Sequence, residues 1–167
     1  MLTETIFEDE RWSDCDLDTL AERASLAVMA HLVHTPETFL ISVLACDDAR
    51  IATLNADFRD KPQPTNVLSW PSQDLAPALD GDDPTTPESD MFGDETELGD
   101  IAISYDTCLR EAEAAGKPFD HHVTHLVIHG VLHLLGYDHI RDKDATLMEG
   151  IETAILGKLG IPDPYNE

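Results

Sequence analysis

Basic residues are scarce in this chain: 10 lysines and arginines stand against 34 aspartates and glutamates over 167 residues, a formal net charge of −24. A protein this acidic does not coat DNA or an anionic membrane by general electrostatic attraction, so any contact with nucleic acid must be local. The sequence also lacks the ~18 consecutive apolar residues of a membrane span, and its acidic start is unlike a signal peptide. We therefore expect a cytoplasmic protein that binds neither membranes nor DNA.

Cysteine is also sparse. Cys15, Cys46 and Cys108 form no C-x-x-C pair, and any disulfide among them would leave one thiol over. This pattern indicates a reduced intracellular protein with buried or inert thiols, and it excludes a small scaffold stapled by disulfides. The length suits a single domain spanning residues 1–167 with a hydrophobic core of its own.

Hydrophobic periodicity predicts helices and strands in mixed order. The predicted helices cover residues 17–33, 48–59, 106–115, 118–135 and 142–159, and the predicted strands cover 39–46, 67–70 and 98–105. These elements favour an α+β fold of mixed α/β type, in which one small mixed sheet is covered by helices. The order of the strands does not follow from the pattern.

One segment departs from this periodicity. Residues 74–97 contain no lysine or arginine, nine acidic residues, and prolines at positions 77, 84 and 87. A segment of this composition buries too little apolar surface to offset the entropy of ordering it. We therefore predict a mobile acidic loop over residues 74–97.

The stretch HLVIHGVLHLLGYDH, residues 125–139, contains a candidate metal site. His129 and His133 are four residues apart, so on a helix both imidazoles project from one face and can reach one ion at ~2.0–2.1 Å. Gly136 can adopt the left-handed conformation that ends a helix, and the chain would then return His139 toward the other two. The pattern predicts a metal site at the C-terminal end of a long helix.

Three nitrogen ligands leave one coordination position for water, which is the arrangement of a catalytic zinc ion. The spacing H-G-x-x-H-x-x-G-x-x-H matches the metzincin protease motif, except that Gly130 stands where those enzymes have a general-base glutamate. A zinc peptidase or another metal-dependent hydrolase is therefore an alternative that needs a different base, such as Asp138.

Residues 129–139, HGVLHLLGYDH, match the motif H-G-x-L-H-L-x-G-[YH]-D-H without a departure. Upstream, Leu54-Asn55, Phe58-Arg59, the run PTNVLSWP at 64–71 and the run LGDI at 98–101 follow in the order of the same family, with Trp70 in place of the usual phenylalanine. Over most of its length the chain resembles the YbeY endoribonucleases.

The resemblance implies a compact α/β fold and a single-strand-specific, zinc-dependent endoribonuclease with one catalytic Zn²⁺ ion. It further implies 16S rRNA 3′-end maturation and 70S ribosome quality control, with single-stranded RNA and rRNA as substrates and ribosomal proteins of the small subunit as candidate partners. His129, His133 and His139 would be the catalytic zinc ligands, and Arg59 the functional arginine near the metal. A guanidinium suits this role because its paired donors stabilise charge on a phosphate. A non-catalytic ribosome-assembly factor with structural zinc is an alternative.

Four further residues are candidates to orient a ligand or to contact the substrate: Asp138, His125, Thr65 and Ser69. Asp138 either orients a ligand histidine or acts as a base, or it simply shapes the turn after the helix. His125 either contacts substrate phosphate or packs as a neutral core histidine. Thr65 and Ser69 are candidates to contact RNA through their hydroxyls, although a plain strand role suits Ser69 equally. A local basic cleft around the functional arginine is also left open, because three more cations are close in sequence: Lys61, Arg141 and Lys143.

Overall fold

Most of the strands and helices that the structure describes are ones that the hydrophobic pattern predicts. The computed structural model describes residues 2–32, 39–84, 87, 96–162 and 164. In chain order the elements are β1 (Thr3–Phe7), α1 (Arg11–Asp14), α2 (Leu17–His31), β2 (Phe39–Cys46), α3 (Asp48–Arg59), β3 (Val67–Pro71), β4 (Thr96–Ser104), α4 (Tyr105–Ala115), α5 (Phe119–Leu134) and α6 (Asp142–Lys158). No helix in these ranges is long and apolar enough to cross a membrane.

The four strands form one mixed sheet in the order β1-β2-β4-β3. β1 and β4 run parallel to β2 on either side of it, while the edge strand β3 runs antiparallel to β4 and pairs Ser69 with Ile101. Helices lie on both faces, which is what the apolar run of β2 requires of a central parallel strand. The predicted α+β fold with one small mixed sheet is confirmed.

The two faces of the sheet are covered unequally. On one face, Ile41 and Val43 of β2 pack with α2, α5 and α6 in the main core. On the other face, α3 covers a small apolar cluster with Trp70 packed against it, and the buried members of this cluster are Cys46, Ile51, Leu68 and Ala102. Because Phe58 of α3 contacts Trp70 of β3, the C-terminal end of α3 lies beside the edge strand.

α5 passes through the main core, and more than half of its 16 residues are buried. Each fully buried Leu, Ile or Val side chain contributes about 1.5–3 kcal/mol, so the position of this helix is strongly determined. Gly130 allows the close approach of the helix to the sheet, since a Cβ atom there would lie 3.2 Å from the Cδ1 atom of Ile101. The helix that bears His129 and His133 is therefore held firmly against β4.

The sequence does not predict β1 or α1. β1 is an edge strand held by distant partners: besides its pairing with β2, the amides of Leu2 and Thr3 donate to the Glu22 carboxylate at 3.0 and 2.8 Å. α1 is a single turn whose Trp12 is fully buried and donates through its indole N–H to the carbonyl of Cys46 at 2.9 Å. Both elements depend on contacts with residues far away in the sequence, and such contacts produce no hydrophobic periodicity in the local sequence.

The acidic segment 74–97 overlaps β4 at its end, because that strand begins at Thr96. Residues 85, 86 and 88–95 of this segment lie outside the described residues. Its first part contacts the start of α6, where Arg141 donates to the carbonyl groups of Pro77 and Ala78 at 3.0 and 3.1 Å. Mobility of the loop stays a prediction.

The three cysteines carry free thiols, with Cys46 and Cys108 buried and Cys15 half-buried. Burial raises the pKa of the Cys46 thiol to about 12. A thiol of this kind stays protonated at neutral pH, and the thiolate is the reactive form.

Candidate metal centre

The structure brings together the three histidines that the motif predicts as metal ligands. His129 and His133 project from the same face of α5, one turn apart, and their Nε2 atoms are 3.0 Å from each other. His139 follows the end of the helix, and one ring nitrogen of each histidine lies within 4.8 Å of those of the other two. These three imidazoles form a group that could hold a metal ion.

The turn that returns His139 depends on Gly136, which has a φ of +99°. Its amide donates to the carbonyl of His133 at 3.1 Å, and the next amide, of Tyr137, donates to the carbonyl of Leu132 at 3.0 Å. A Cβ atom at Gly136 would lie 2.7 Å from the backbone carbonyl carbon and oxygen of Leu75. Glycine is therefore required here both by the backbone conformation and by the space available.

The protonation state of His133 suits a metal ligand. Burial, assisted by the neighbouring His129, lowers the pKa of His133 to about 4, so the ring is neutral at neutral pH. Its Nδ1–H donates to the carbonyl of Tyr137 at 3.0 Å, which leaves the lone pair on Nε2 directed toward the other histidines. Neutral imidazole with its second nitrogen engaged is the form in which histidine binds metal ions.

Glu152 is a buried residue of the site that the sequence reasoning missed. It lies on α6 with no exposed surface, and its carboxylate accepts from Nδ1 of His129 at 2.5 Å and from Nε2 of His125 at 3.3 Å. A signal was present in the sequence: position 152 falls on the apolar stripe of α6, with Met148 one turn before it and Ile155 three residues after it. An acidic residue in such a stripe needs a buried partner.

The donor set fits a zinc-like ion. Two of the three imidazoles have their outward nitrogens fixed by an oxygen atom, the carbonyl of Tyr137 for His133 and the carboxylate of Glu152 for His129. Oxygen partners of this kind set the tautomer and the ring orientation of ligand histidines and raise their basicity. Three histidine ligands would leave a coordination position for substrate or water.

The histidines open onto a cleft of about 920 Å³ between α5, the edge strand β3 and the end of α3. Every residue predicted for the site lines this cleft, namely Arg59, Thr65, Ser69, His125, His129, His133, Asp138 and His139. The fold therefore assembles residues from three separated parts of the sequence around one opening. Their individual roles stay predictions.

Arg59 supplies the positive charge of this cleft. It is exposed at the end of α3 and forms no hydrogen bond or ion pair with any described residue. Of the other three nearby cations none lines the cleft, and Arg141 is paired with Asp144 at 2.6 Å. The described residues therefore do not form a cleft with four clustered cations. Arg59 is the one lysine or arginine among those that line it, and it has no partner among them.

Asp138 and His125 each make contacts that bear on their two interpretations. The Asp138 carboxylate accepts from the amide of His139 at 2.7 Å, which is a turn contact, and lies 4.0 and 3.9 Å from Nδ1 of His133 and of His139, beyond hydrogen-bond distance. His125 shares the buried Glu152 with His129 and also faces the cleft. It is thus neither a purely internal histidine nor a free surface group.

The structure leaves no room at position 130 for the general-base glutamate of the metzincin-like alternative. Position 130 faces the sheet, where Ile101 occupies the space that a side chain would need. A glutamate at this position would have to displace the packing between α5 and β4. Position 130 therefore cannot supply the general-base carboxylate of a metzincin peptidase.

Comparison with known proteins agrees with the motif. The family model described as Endoribonuclease YbeY matches residues 6–160. The Endoribonuclease YbeY of Ruegeria pomeroyi is 61% identical over 165 residues, 99% of this chain and 98% of that protein. The same-named proteins of Ruegeria sp. and Paracoccus denitrificans are 59% and 58% identical, covering 99% and 97% of this chain and 96% and 88% of their own lengths.

The fold is also similar to the solution structure of TM1509 from Thermotoga maritima. The TM-score is 0.55 at 19% sequence identity, and the match covers 99% of both chains. A likeness at this identity concerns the fold alone. On the family match over nearly the whole chain, together with the identity to named relatives, the chain belongs to the YbeY family of endoribonucleases, hydrolases that cleave RNA.

Proposed function

We propose that this endoribonuclease is specific for single-stranded RNA, depends on Zn²⁺, and acts in the cytoplasm on the 3′ end of 16S rRNA and in 70S ribosome quality control. The observation that carries the proposal is the convergence on a single cleft of three histidine donors and Arg59, which pairs with no described residue. The rRNA substrate and candidate partners among the small-subunit ribosomal proteins rest on the family resemblance.

In this proposal His129, His133 and His139 hold the zinc ion. When bound, the ion supplies positive charge beside the scissile phosphate and makes nearby water more acidic. Arg59 binds the same phosphate through paired N–H donors and stabilises the charge that develops on its oxygens. Glu152 keeps His129 in the orientation that the site needs, since it engages the ring nitrogen that faces away from the cleft.

The charge distribution supports a single strand as the substrate. A duplex carries one phosphate charge per ~1.7 Å of its axis, so it brings many charges against the surface of its partner. This chain has a net charge of −24, and Arg59 is the one lysine or arginine among the described residues of the cleft. A flexible strand can place one phosphate at this guanidinium while its neighbours point into solvent.

The test is cleavage of a 5′-labelled single-stranded RNA, with the zinc content of every preparation measured by elemental analysis. We expect Arg59→Glu to keep its zinc and to lose about 100-fold or more in rate, as when a donor to developing charge is removed. We expect His133→Ala to lose both zinc and activity. Arg23→Glu on α2 is the matched control, because it makes the same charge change at an exposed arginine outside the cleft.

Different failures point to different alternatives. Wild-type cleavage rates in Arg59→Glu would remove the arginine from the mechanism, and equal cleavage by all variants would identify a contaminating nuclease. A protein that holds zinc, cuts no RNA and merely loses stability on chelation would be the non-catalytic assembly factor. Cleavage of a peptide library would favour the hydrolase alternative.

A further inference from the structure

Phe58 and Trp70 form an exposed aromatic pair. Phe58 lies near the end of α3 with 63% of its surface exposed, and its ring centroid is 5.4 Å from that of Trp70 in β3, at an interplanar angle of 67°. Trp70 is half-buried because it packs against the small cluster beneath α3. This packing anchors the indole and leaves the ring of Phe58 open to solvent.

The pair lies beside the catalytic cleft. Arg59 directly follows Phe58, Ser69 and Pro71 flank Trp70, and all three of these neighbours line the cleft. Side chains alternate along a strand, so Ser69 and Pro71 face the cleft while Trp70 projects from the opposite face of β3. Because β3 is an edge strand, nothing else of the sheet separates the two rings from the cleft.

We propose that Phe58 and Trp70 are a nucleobase-binding subsite, on which one base of single-stranded RNA stacks while the strand passes along the cleft. The inference rests on the proposed function, since it requires an RNA strand in that cleft. Stacking on aromatic rings tolerates every base because each base has a π-face. The subsite therefore selects bases that are not already stacked in a duplex, rather than a particular sequence.

Charge favours a base over a protein as the occupant. Two exposed carboxylates are close to the pair along the chain, since Asp57 and Asp60 flank Phe58 and Arg59 in sequence. A protein that covered this patch would desolvate these carboxylates, which is costly unless it supplied a partner for each. An uncharged base contacts only the rings, and the adjacent guanidinium can bind the phosphate next to that base along the strand. In a chain of net charge −24, stacking supplies affinity that phosphate contacts cannot.

Intrinsic fluorescence reports directly on this subsite. The chain has two tryptophans, and Trp12 is fully buried, so quenching by a stacked base comes from Trp70. The probe is a 2′-O-methylated hexa-adenylate, with the same backbone lacking bases as the second probe, and a gel confirms that each stays intact. Affinities are measured for wild type and for Phe58→Leu, which keeps an apolar cover over Trp70 but removes the aromatic face.

We expect the adenylate to quench the tryptophan fluorescence of the wild-type protein. Phe58→Leu should bind the adenylate at least about fivefold more weakly, which corresponds to the lower end of the stacking energy per base. Binding of the abasic backbone should not change. Phe7→Leu is the matched control, because Phe7 is 39% exposed on β1 at the opposite edge of the sheet. Trp70→Phe should retain the affinity and abolish the quenching.

The outcomes separate this inference from the proposed function. If wild type cleaves RNA but Phe58→Leu binds the adenylate as wild type does, the subsite is refuted and the nuclease proposal stands. If wild type cleaves no RNA but Phe58→Leu still loses base-dependent binding, the subsite stands without the proposed activity. If sedimentation shows a wild-type dimer that Phe58→Leu dissociates, the patch joins two copies and the inference is overturned.

Discussion

A carboxylate without solvent contact is costly unless its lone pairs are engaged, and Glu152 is engaged by two histidines. Replacing it with glutamine keeps the shape of the side chain but removes the charge, and its amide turns a donor toward one of the two rings. We expect Glu152→Gln to weaken Zn²⁺ binding about 10- to 100-fold, as for other partners of ligand histidines. Competition with a chromophoric chelator measures this change.

The control for this prediction is on the same helix. Glu149→Gln makes the same chemical change at an exposed position of α6. We expect its Zn²⁺ affinity to equal that of wild type, and both variants to show wild-type circular dichroism. Equal affinity in Glu152→Gln and Glu149→Gln would mean that the buried carboxylate stabilises the fold without acting on the metal ligands.

At the scale of a single element, the end of α5 determines whether the third histidine reaches the site. A residue with a side chain at position 136 would have to keep its backbone at a φ of +99°. Its Cβ atom would also lie 2.7 Å from the backbone of Leu75. We expect Gly136→Ala to destabilise the protein by at least about 1–2 kcal/mol, the cost of a left-handed L-residue alone, and to lower its zinc content. Urea denaturation and elemental analysis test the two effects.

Another glycine provides the comparison for this variant. Gly150 lies within α6, and a Cβ atom there would meet nothing within 4 Å. Gly150→Ala should therefore stabilise the protein by about 0.5–1 kcal/mol, because alanine loses less backbone entropy in a helix. Destabilisation by both alanines would show that neither backbone conformation nor contact with Leu75 explains the requirement at position 136.

The sequence predicts a structural feature when the contacts that determine it join residues close together along the chain. The helix ending at Leu134, the turn at Gly136 and the histidine triad follow from spacing within a few residues, and the structure contains them. β1 was missed because its pairing partners lie in β2, and Glu152 because its two histidines belong to another helix. Periodicity carries no information on which helices pack together.

For the whole molecule, RNA binding depends on the contrast between a strongly negative net charge and the single arginine of the described cleft. The chain carries a net charge of −24, whereas the described cleft offers Arg59 and the histidine group. General attraction to a polyanion is therefore absent, and the affinity has to come from a single phosphate contact, the metal site and base stacking. Such a protein is expected to bind free RNA weakly and to distinguish poorly among sequences.

This balance predicts a shallow dependence of RNA affinity on salt. For single strands, log K falls against log salt with a slope of about −0.7 for each phosphate neutralised. With the metal bound in every variant, we expect Arg59→Gln to make the slope shallower by about 0.7 between about 50 and 200 mM salt, and Arg23→Gln to leave it unchanged. Salt also screens the repulsion between RNA and the acidic protein, and this raises the affinity as the salt concentration increases. The two effects oppose each other, so the slope for Arg59→Gln should approach zero. A wild-type slope several times steeper, unaltered in Arg59→Gln, would locate the phosphate contacts on a surface other than this cleft.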